Sequence, residues 1–227
     1  MTDSRTQNAK DDEGPVLPVW LADDVDGLAD AGAPEAAIAF AEAVGHRFKP
    51  GSHLVLPGEG GAVAGAVLTP DENAPFAAGT LGRALPPGRW KLQTDDEKAR
   101  LAVLLGGYEF TRYRKAETER PAFEEDDAAI ARLRDGMFLA RDLINTPTAD
   151  MGPDELEAAV RELAKAHGAS VEVTSGDALR EGFPMVHAVG RASASAPRLI
   201  DLRWGSRCGR AERPHRRRSR SRRNRRR

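Results

Sequence analysis

Residues 140–156, Ala-Arg-Asp-Leu-Ile-Asn-Thr-Pro-Thr-Ala-Asp-Met-Gly-Pro-Asp-Glu-Leu, form a junction between two predicted helices. Pro147 disfavours helical geometry in the residue before it, so the first helix should end near Asn145. The second should begin at Pro153, because a proline at the first helical position loses no hydrogen bond. The first helix is predicted from about Asp127 by apolar residues at three- and four-residue steps: Ile130, Leu133, Met137, Ala140 and Ile144.

Downstream of the junction, the pattern indicates the opening of a second α/β domain. The second helix should run to His167, with Gly168 as its stop. A short helical turn is predicted near Ala178, and strands are predicted at Ser170–Thr174, Met185–Gly190 and Leu199–Trp204. Residues 151–205 number about 55, whereas a domain typically has about 100–150 residues. We therefore expect this second domain to be incomplete.

Upstream of the junction, strands and helices alternate, which predicts a small α/β domain over residues 15–120. Thr94 and Glu97 have the spacing of a capping box for a helix whose centre Gly106-Gly107 should weaken. Residues 1–14 are polar and are predicted to be disordered. The other predicted elements are strands at Val16–Trp20, His53–Leu56 and Ala62–Thr69, a helix at Pro34–Val44 and an extended segment at Arg89–Leu92.

The charge of the chain is distributed unevenly, although its net value is only −1. Residues 206–227 contain 12 arginines and one acidic residue, Glu212, whereas residues 1–205 carry 22 basic and 34 acidic residues. The single cysteine, Cys208, excludes a disulfide framework and a thiolate metal cluster. No apolar run approaches the roughly 20 residues needed to span a bilayer, and residues 1–14 lack the apolar core of a secretory signal. We expect a cytoplasmic protein with no membrane partner.

The junction also resembles a known family. Arg141–Pro147, followed by Met151-x-Pro153, is similar to the interdomain region of the leucyl aminopeptidase (cytosol aminopeptidase) family. The resemblance continues through Phe183–Ser193 and Pro197–Trp204, is weaker at Leu81–Leu92, and ends after Gly205. It implies a macro-domain-like N-terminal lobe at residues 15–120, a linker helix and junction at 121–150, and the beginning of a peptidase catalytic domain at 151–205.

The resemblance implies a two-metal exopeptidase that releases N-terminal amino acids from peptides. In the family, a lysine and several carboxylates hold two divalent metals, manganese or zinc, which activate water and polarise the scissile carbonyl. Family members are expected to be homo-oligomers. Their ligands come from Gly-Lys-Gly…Phe-Asp-x-Gly-Gly, Lys…Asp-Met and Asn-Thr-Asp-Ala-Glu-Gly-Arg segments. None of these occurs here, and no lysine follows Lys165. We therefore predict no catalytic, metal-binding or cofactor-binding residue and no activity.

Other candidates for chemistry have simpler explanations. Gly58-Glu59-Gly60-Gly61 lacks the Gly-Lys-Ser/Thr that holds phosphate, so a turn is predicted. The acidic run Glu124–Asp127 is predicted to complement a helix N-terminus. Ser193 and Ser195 are interpreted as loop serines. The histidines lack metal-ligand spacing, and His187 is interpreted as a core residue of a strand and His167 as a helix-end residue; they are His46, His53, His167, His187 and His215.

The arginine-rich residues 206–227 are predicted to be a disordered tail, and this tail admits two interpretations. They could bind nucleic acid through phosphate contacts that are salt-dependent and largely independent of base sequence. Alternatively, they are out-of-frame translation of GC-rich DNA, because they begin in mid-domain, where the family resemblance ends and where sheet edges would be left unpaired. We favour a truncated or frameshifted product over a nucleic-acid-binding tail.

Overall fold

The computed structural model describes residues 14–114 and 119–205. The chain divides after Pro147 into two compact units, which we name unit 1 (residues up to 147) and unit 2 (residues from 148). The predicted disordered N-terminus, apart from Gly14, and the basic tail at 206–227 lie outside the described residues.

Unit 1 is built on a five-stranded, mostly parallel sheet with the strand order β2-β3-β1-β4-β5. β1 pairs in parallel with both β3 and β4, β5 pairs in parallel with β4, and β2 is antiparallel to β3. The predicted α/β class is confirmed for this unit. The strands are β1 (Val16–Leu21), β2 (His53–Pro57), β3 (Val63–Leu68), β4 (Gly88–Leu92) and β5 (Pro121–Phe123).

Five α-helices accompany the sheet in the described part of unit 1, and apolar residues pack in two clusters. Val19 and Trp20 are neighbours on β1 and belong to different clusters, because successive side chains of a strand point to opposite faces. Trp90 is fully buried in the first cluster, and its Nε1 donates to the Pro86 carbonyl at 3.0 Å. The helices are α1 (Val25–Asp30), α2 (Glu35–Ala43), α3 (Leu81–Ala84), α4 (Glu97–Gly106) and α5 (Ala128–Asn145), with 3-10 turns at Glu59–Gly61 and Ala77–Thr80.

The predicted capping box at the start of α4 is wrong. Asp96 is the N-cap residue, and its Oδ1 accepts from the Lys98 backbone N–H at 2.9 Å. Thr94 instead accepts from the Asp96 N–H at 3.2 Å, which forms a local turn before the helix. An aspartate adjacent to the first turn is a stronger N-cap than a threonine, so the helix begins at Glu97.

Gly106 ends α4 and does not weaken its centre as predicted. A Cβ atom at Gly106 would lie 1.8 Å from the Gly79 carbonyl oxygen, and one at Gly82 would lie 2.3 Å from the Gly106 carbonyl carbon. Gly79, Gly82 and Gly106 therefore allow the backbone of α4 to pack directly against the backbone of α3 and of the 3-10 turn before it.

Unit 2 contains a two-stranded antiparallel sheet in which Val173 of β6 lies opposite Ile200 of β7. α6 stops at Gly168, whose φ of 64° lies in the left-handed region that glycine tolerates. The junction helices α5 and α6 are confirmed in type and position. The elements of unit 2 are α6 (Pro153–His167), β6 (Ser170–Ser175), α7 (Gly176–Gly182), α8 (Pro184–Gly190) and β7 (Arg198–Arg203).

The predicted strand at Met185–Gly190 is wrong, because this segment is helix α8. Pro184 occupies the first helical position, where its fixed φ suits a helix. Met185 and Val189, four residues apart, are 78% and 85% exposed. A short apolar run is compatible with either structure, and here the run gains no strand partner.

No described helix combines the length and the apolar composition needed to cross a membrane.

Candidate functional site

A cavity of about 440 Å³ lies at the carboxyl ends of β4 and β5 in unit 1. Ligands of α/β proteins commonly bind at this edge of a parallel sheet. The apolar side chains of Leu92 and Val103 contribute to its lining, and charged residues form most of the rest. The charged lining residues are Lys91, Asp95, Arg100, Glu124, Glu125 and Asp126.

Two ion pairs in this cavity join α4 and β4 to the acidic segment before α5. Lys91 Nζ lies 2.5 Å from Asp126 Oδ2, and Arg100 Nε donates to Glu125 Oε2 at 3.1 Å. The Glu125 carboxylate is only 3% exposed, and it also accepts from the Asp127 backbone N–H at 2.8 Å. Both basic groups of the lining are therefore already paired.

Electrostatics favours the charged forms of Lys91, Arg100 and Asp126. The hydrogen bond from Lys91, followed by its positive charge, lowers the pKa of Asp126. The same hydrogen bond raises the pKa of Lys91, and a hydrogen bond with Glu125 raises the pKa of Arg100. A general acid or base works best with a pKa near the working pH, and these shifts move the groups away from neutrality. The pairs are suited to fixing the segment before α5 and not to proton transfer.

The four residues of the acidic run 124–127 have different partners, and the sequence pattern does not reveal them. Asp127 is the N-cap of α5, with its Oδ1 accepting from the Ala129 N–H at 2.7 Å, as the helix-complement prediction required. Glu124 instead accepts from Arg89 Nε at 2.9 Å, while Glu125 and Asp126 form the cavity pairs. The three basic partners lie 25 to 35 residues upstream, so no local sequence signal identifies them.

The histidines do not converge on one site in the described part of the chain. The ring centroids of His46 and Phe48 lie 4.7 Å apart, and burial, followed by the charge of His53, lowers the pKa of His46. His167 lies in the last turn of α6, as predicted. His187 lies in helix α8, so its interpretation as a strand residue is wrong. His215 lies outside the described residues.

The serine and glycine candidates have structural partners. Ser195 Oγ donates to Asp154 Oδ2 at 2.5 Å, and Ser193 Oγ accepts from the Ser195 N–H at 3.2 Å. Both serines lie in the loop between α8 and β7. Gly60 and Gly61 adopt positive φ in the turn between β2 and β3, which agrees with the predicted turn.

In unit 2, Arg198 ties β7 to α6. Its guanidinium pairs with Asp154 at 2.5 Å and with Glu157, and its side chain is 14% exposed. Hydrogen bonds from Ser195 and then Arg198 lower the pKa of Asp154, and hydrogen bonds from Arg198 and then Arg161 lower that of Glu157.

The residues 141–146 of the junction contact the end of α4. The Tyr108 hydroxyl donates to Asp142 Oδ1 at 2.8 Å and accepts from Asn145 Nδ2 at 3.0 Å. The Arg141 guanidinium lies 5.2 Å from the Tyr108 ring centroid. Residues 141–145, which belong to the first segment that resembles the family, thus attach the end of α5 to Tyr108 of unit 1.

A metal centre is not assembled within residues 14–114 and 119–205, where no group of three or more His, Cys, Asp or Glu side chains could hold an ion. The residues of these two ranges therefore do not fit a two-metal centre. The predicted absence of catalytic and metal-binding residues from the whole chain stays a prediction.

Comparison with family models gives two matches in chain order. Residues 17–122 match the M17 aminopeptidase N-terminal domain, and residues 138–215 match the catalytic domain of the cytosol aminopeptidase family. The second match extends ten residues beyond Gly205, where the resemblance was expected to end.

Individual relatives agree with these matches. A probable cytosol aminopeptidase of Leifsonia xyli is 34% identical over 199 residues, covering 76% of this chain and 40% of the relative. A probable cytosol aminopeptidase of Streptomyces avermitilis is 34% identical over 140 residues, covering 57% of this chain and 26% of the relative.

A solved structure gives the same result. The crystal structure of cytosol aminopeptidase from Coxiella burnetii is similar with a TM-score of 0.73 and 32% identity, covering 86% of this chain and 45% of that one. This chain therefore spans less than half the length of each of these three relatives. The order of the two domain matches, the relatives and the shared fold together show that the chain belongs to the leucyl aminopeptidase (cytosol aminopeptidase, M17) family.

Proposed function

We propose that this chain is part of a leucyl-aminopeptidase-like hydrolase that releases N-terminal amino acids from peptides. The observation that carries the proposal is the match to an M17 N-terminal domain followed by a match to the family's catalytic domain. In this proposal, residues 15–120 are a macro-domain-like lobe, residues 121–150 are the linker and junction, and residues 151–205 are the start of the catalytic domain.

The proposal also holds that the 227 residues alone do not hydrolyse peptides. The family motifs that supply metal ligands are absent from the sequence, and the described residues hold no cluster able to bind a metal ion. For the longer family members, we propose manganese or zinc as the cofactor, a cytoplasmic location and a homo-oligomeric assembly. One structural neighbour is the bottromycin maturation enzyme BotP in complex with Mn, but at 24% identity it supports the fold alone.

The direct test is an aminopeptidase assay on the purified chain. Leucine p-nitroanilide is incubated with the chain and Mn²⁺ or Zn²⁺, with the Coxiella burnetii enzyme as positive control. We expect no release of nitroaniline above the buffer blank. Release that persists through purification to homogeneity and stops on addition of a chelator would contradict the proposed inactivity.

The proposal includes a change of reading frame near residue 205. It is tested by sequencing the coding DNA through codon 205 and several hundred bases beyond, and translating it in three frames. We expect another frame to encode Gly-Lys-Gly, Phe-Asp-x-Gly-Gly and Asn-Thr-Asp-Ala-Glu-Gly-Arg. If no frame encodes them, the proposed frameshift is wrong.

A second candidate function is nucleic-acid binding through residues 206–227, which lie outside the described part of the chain. The observation that favours it is the concentration of 12 arginines there, against a net charge of −12 in the preceding residues. Fluorescence anisotropy with two unrelated DNA duplexes should then give equal affinities that fall at least tenfold between 50 and 200 mM salt. A chain ending at Gly205 should not bind. Binding that is absent, or that survives this deletion, would exclude the tail as a nucleic-acid site.

A further inference from the structure

The second half of α5 is attached to unit 1 through a small polar and aromatic cluster. Ile130 is the only fully buried apolar residue among those of α5, and it lies near the start of the helix. Leu133, Met137 and Ile144 are 57%, 42% and 81% exposed, so the predicted apolar stripe faces outward over most of its length. Burial of this stripe therefore does not explain what holds the end of the helix.

Tyr108, just beyond the end of α4, supplies the attachment. Its hydroxyl uses both its donor and its acceptor capacity, on Asp142 and on Asn145. Its ring centroid lies 5.1 Å from that of Phe138, a tilted arrangement that aromatic pairs favour. The Arg141 guanidinium lies over the Tyr108 ring, 5.2 Å from its centroid, and donates from Nη1 to the Leu105 carbonyl at 3.1 Å.

The same cluster is coupled to the end of the helix. The Asp142 side chain binds Tyr108, while its backbone carbonyl accepts from the Thr146 hydroxyl at 2.6 Å and from the Thr146 N–H at 3.1 Å. Thr146 is 7% exposed, and Pro147 follows it directly. Asp142 thus contacts Tyr108 through its side chain and the last residue before Pro147 through its backbone carbonyl. Both contacts lie just before the boundary between the two units.

We propose that Tyr108 is a lock on the last two turns of α5, and that opening it frees residues 138–147 locally while the sheet of unit 1 stays folded. The lock consists of Tyr108, Phe138, Arg141, Asp142 and Asn145. Its opening exposes the segment that connects the units, which makes the lock a conformational device of the fold. The proposal does not depend on catalytic activity.

The test is hydrogen exchange of the full chain carrying Tyr108→Phe, which removes only the hydroxyl. Each lost hydrogen bond corresponds to a factor of about 2 to 13 in the opening equilibrium. The amides of residues 143–146 should therefore exchange roughly 5- to 150-fold faster, and with little dependence on urea because they open locally, whereas the exchange of residues 66–68 in β3 should keep the steep urea dependence of global unfolding. Tyr113→Phe, at the only other tyrosine of the chain, is the matched control and should leave both groups unchanged.

A second pair of variants separates the lock from a general loss of stability. Asp142→Asn retains an acceptor oxygen for Tyr108 and should exchange more slowly at residues 143–146 than Asp142→Ala. Unchanged exchange in Tyr108→Phe would overturn the proposal. Exchange at residues 143–146 that has the rate and the steep urea dependence of residues 66–68 would also overturn it, because it would indicate that unit 1 opens as a whole.

Discussion

At the scale of single residues, position 106 requires a glycine because another part of the backbone packs closely against it. Its own backbone conformation does not require a glycine. Its absent side chain leaves room for the Gly79 carbonyl, which a Cβ atom would meet at 1.8 Å. A backbone atom cannot move aside as the end of a flexible side chain can. The contact therefore fixes the distance between the end of α4 and the 3-10 turn before α3.

We predict that Gly106→Ala lowers the free energy of unfolding of unit 1 by about 1–3 kcal/mol or more, as overpacking of a tight contact does. Gly136→Ala is the matched control, because a Cβ atom there meets nothing within 4 Å. In the interior of α5 it should raise the free energy of unfolding by about 0.5–1 kcal/mol through helix propensity. Urea unfolding measures both. Equal effects of the two substitutions would show that Gly106 is not tightly packed.

At the scale of elements, Arg198 joins β7 to α6 and makes this attachment sensitive to pH. The hydrogen bond from Arg198 is the main cause that lowers the pKa of Glu157 from its ordinary value of 4.5. A carboxyl with a lowered pKa in the folded state stabilises that state above its ordinary pKa. The contribution disappears as the pH falls through the lowered value.

We predict that Arg198→Met raises the pKa of Glu157 and weakens unit 2 most at neutral pH. The difference in stability from the unsubstituted chain should shrink as the pH falls from the ordinary pKa of 4.5 through the lowered pKa, below which Glu157 is protonated in both chains. Arg180→Met, which removes the exposed pair with Asp177 in the same unit, is the control. The titration of the Glu157 carboxyl carbon, followed by NMR, gives the pKa in each variant. If the pKa of Glu157 is unchanged in Arg198→Met, the hydrogen bond from Arg198 is not the cause of its lowering.

The elements that the sequence predicts correctly have local signals. The ends of α5 and α6 are set by Asp127, Pro147, Pro153 and Gly168, each of which acts within a few residues of its own position. The α/β class also follows from local alternation. By contrast, β5 was not predicted, because it has only three residues. α8 was predicted as a strand, because the periodicity of its short apolar run fits a strand as well as a helix.

The candidate site was much less predictable. The cavity pairs join Glu125 and Asp126 to Arg100 and Lys91, which lie on elements 25 and 35 residues upstream. Their proximity depends on β5 lying beside β4, and no sequence periodicity records this adjacency. The role of Tyr108 was missed for the same reason, since its partners lie 34 and 37 residues downstream.

At the scale of the whole molecule, unit 2 exposes more apolar side chain than its small core covers. Leu179 is fully buried, but Met185, Val189 and Trp204 are 78%, 85% and 75% exposed. Exposed apolar groups on a small unit favour self-association. The two on α8 lie four residues apart and can be exchanged together.

We predict that the double variant Met185→Glu, Val189→Lys reduces aggregation without loss of folded structure. A glutamate four residues before a lysine is a favourable pair on a helix, and surface substitutions usually change stability by no more than about 0.5 kcal/mol. Light scattering measures the aggregation, and circular dichroism measures the folded structure that should be retained. Leu179→Lys, in the buried core of the same unit, should unfold it. Unchanged scattering in the double variant would show that α8 is not the associating surface.

The central position of β1 has a consequence for synthesis. Among the described strands of unit 1, β1 is the first to leave the ribosome, yet its two neighbours are β3 and β4, and Val16 pairs in register with Arg89. At about 5–20 residues per second, roughly 4–15 s pass before that partner is made. Contacts this distant in sequence also close slowly. The pairing of β1 with β4 therefore forms only after translation has passed β4, and until then this edge of the middle strand is available to chaperones.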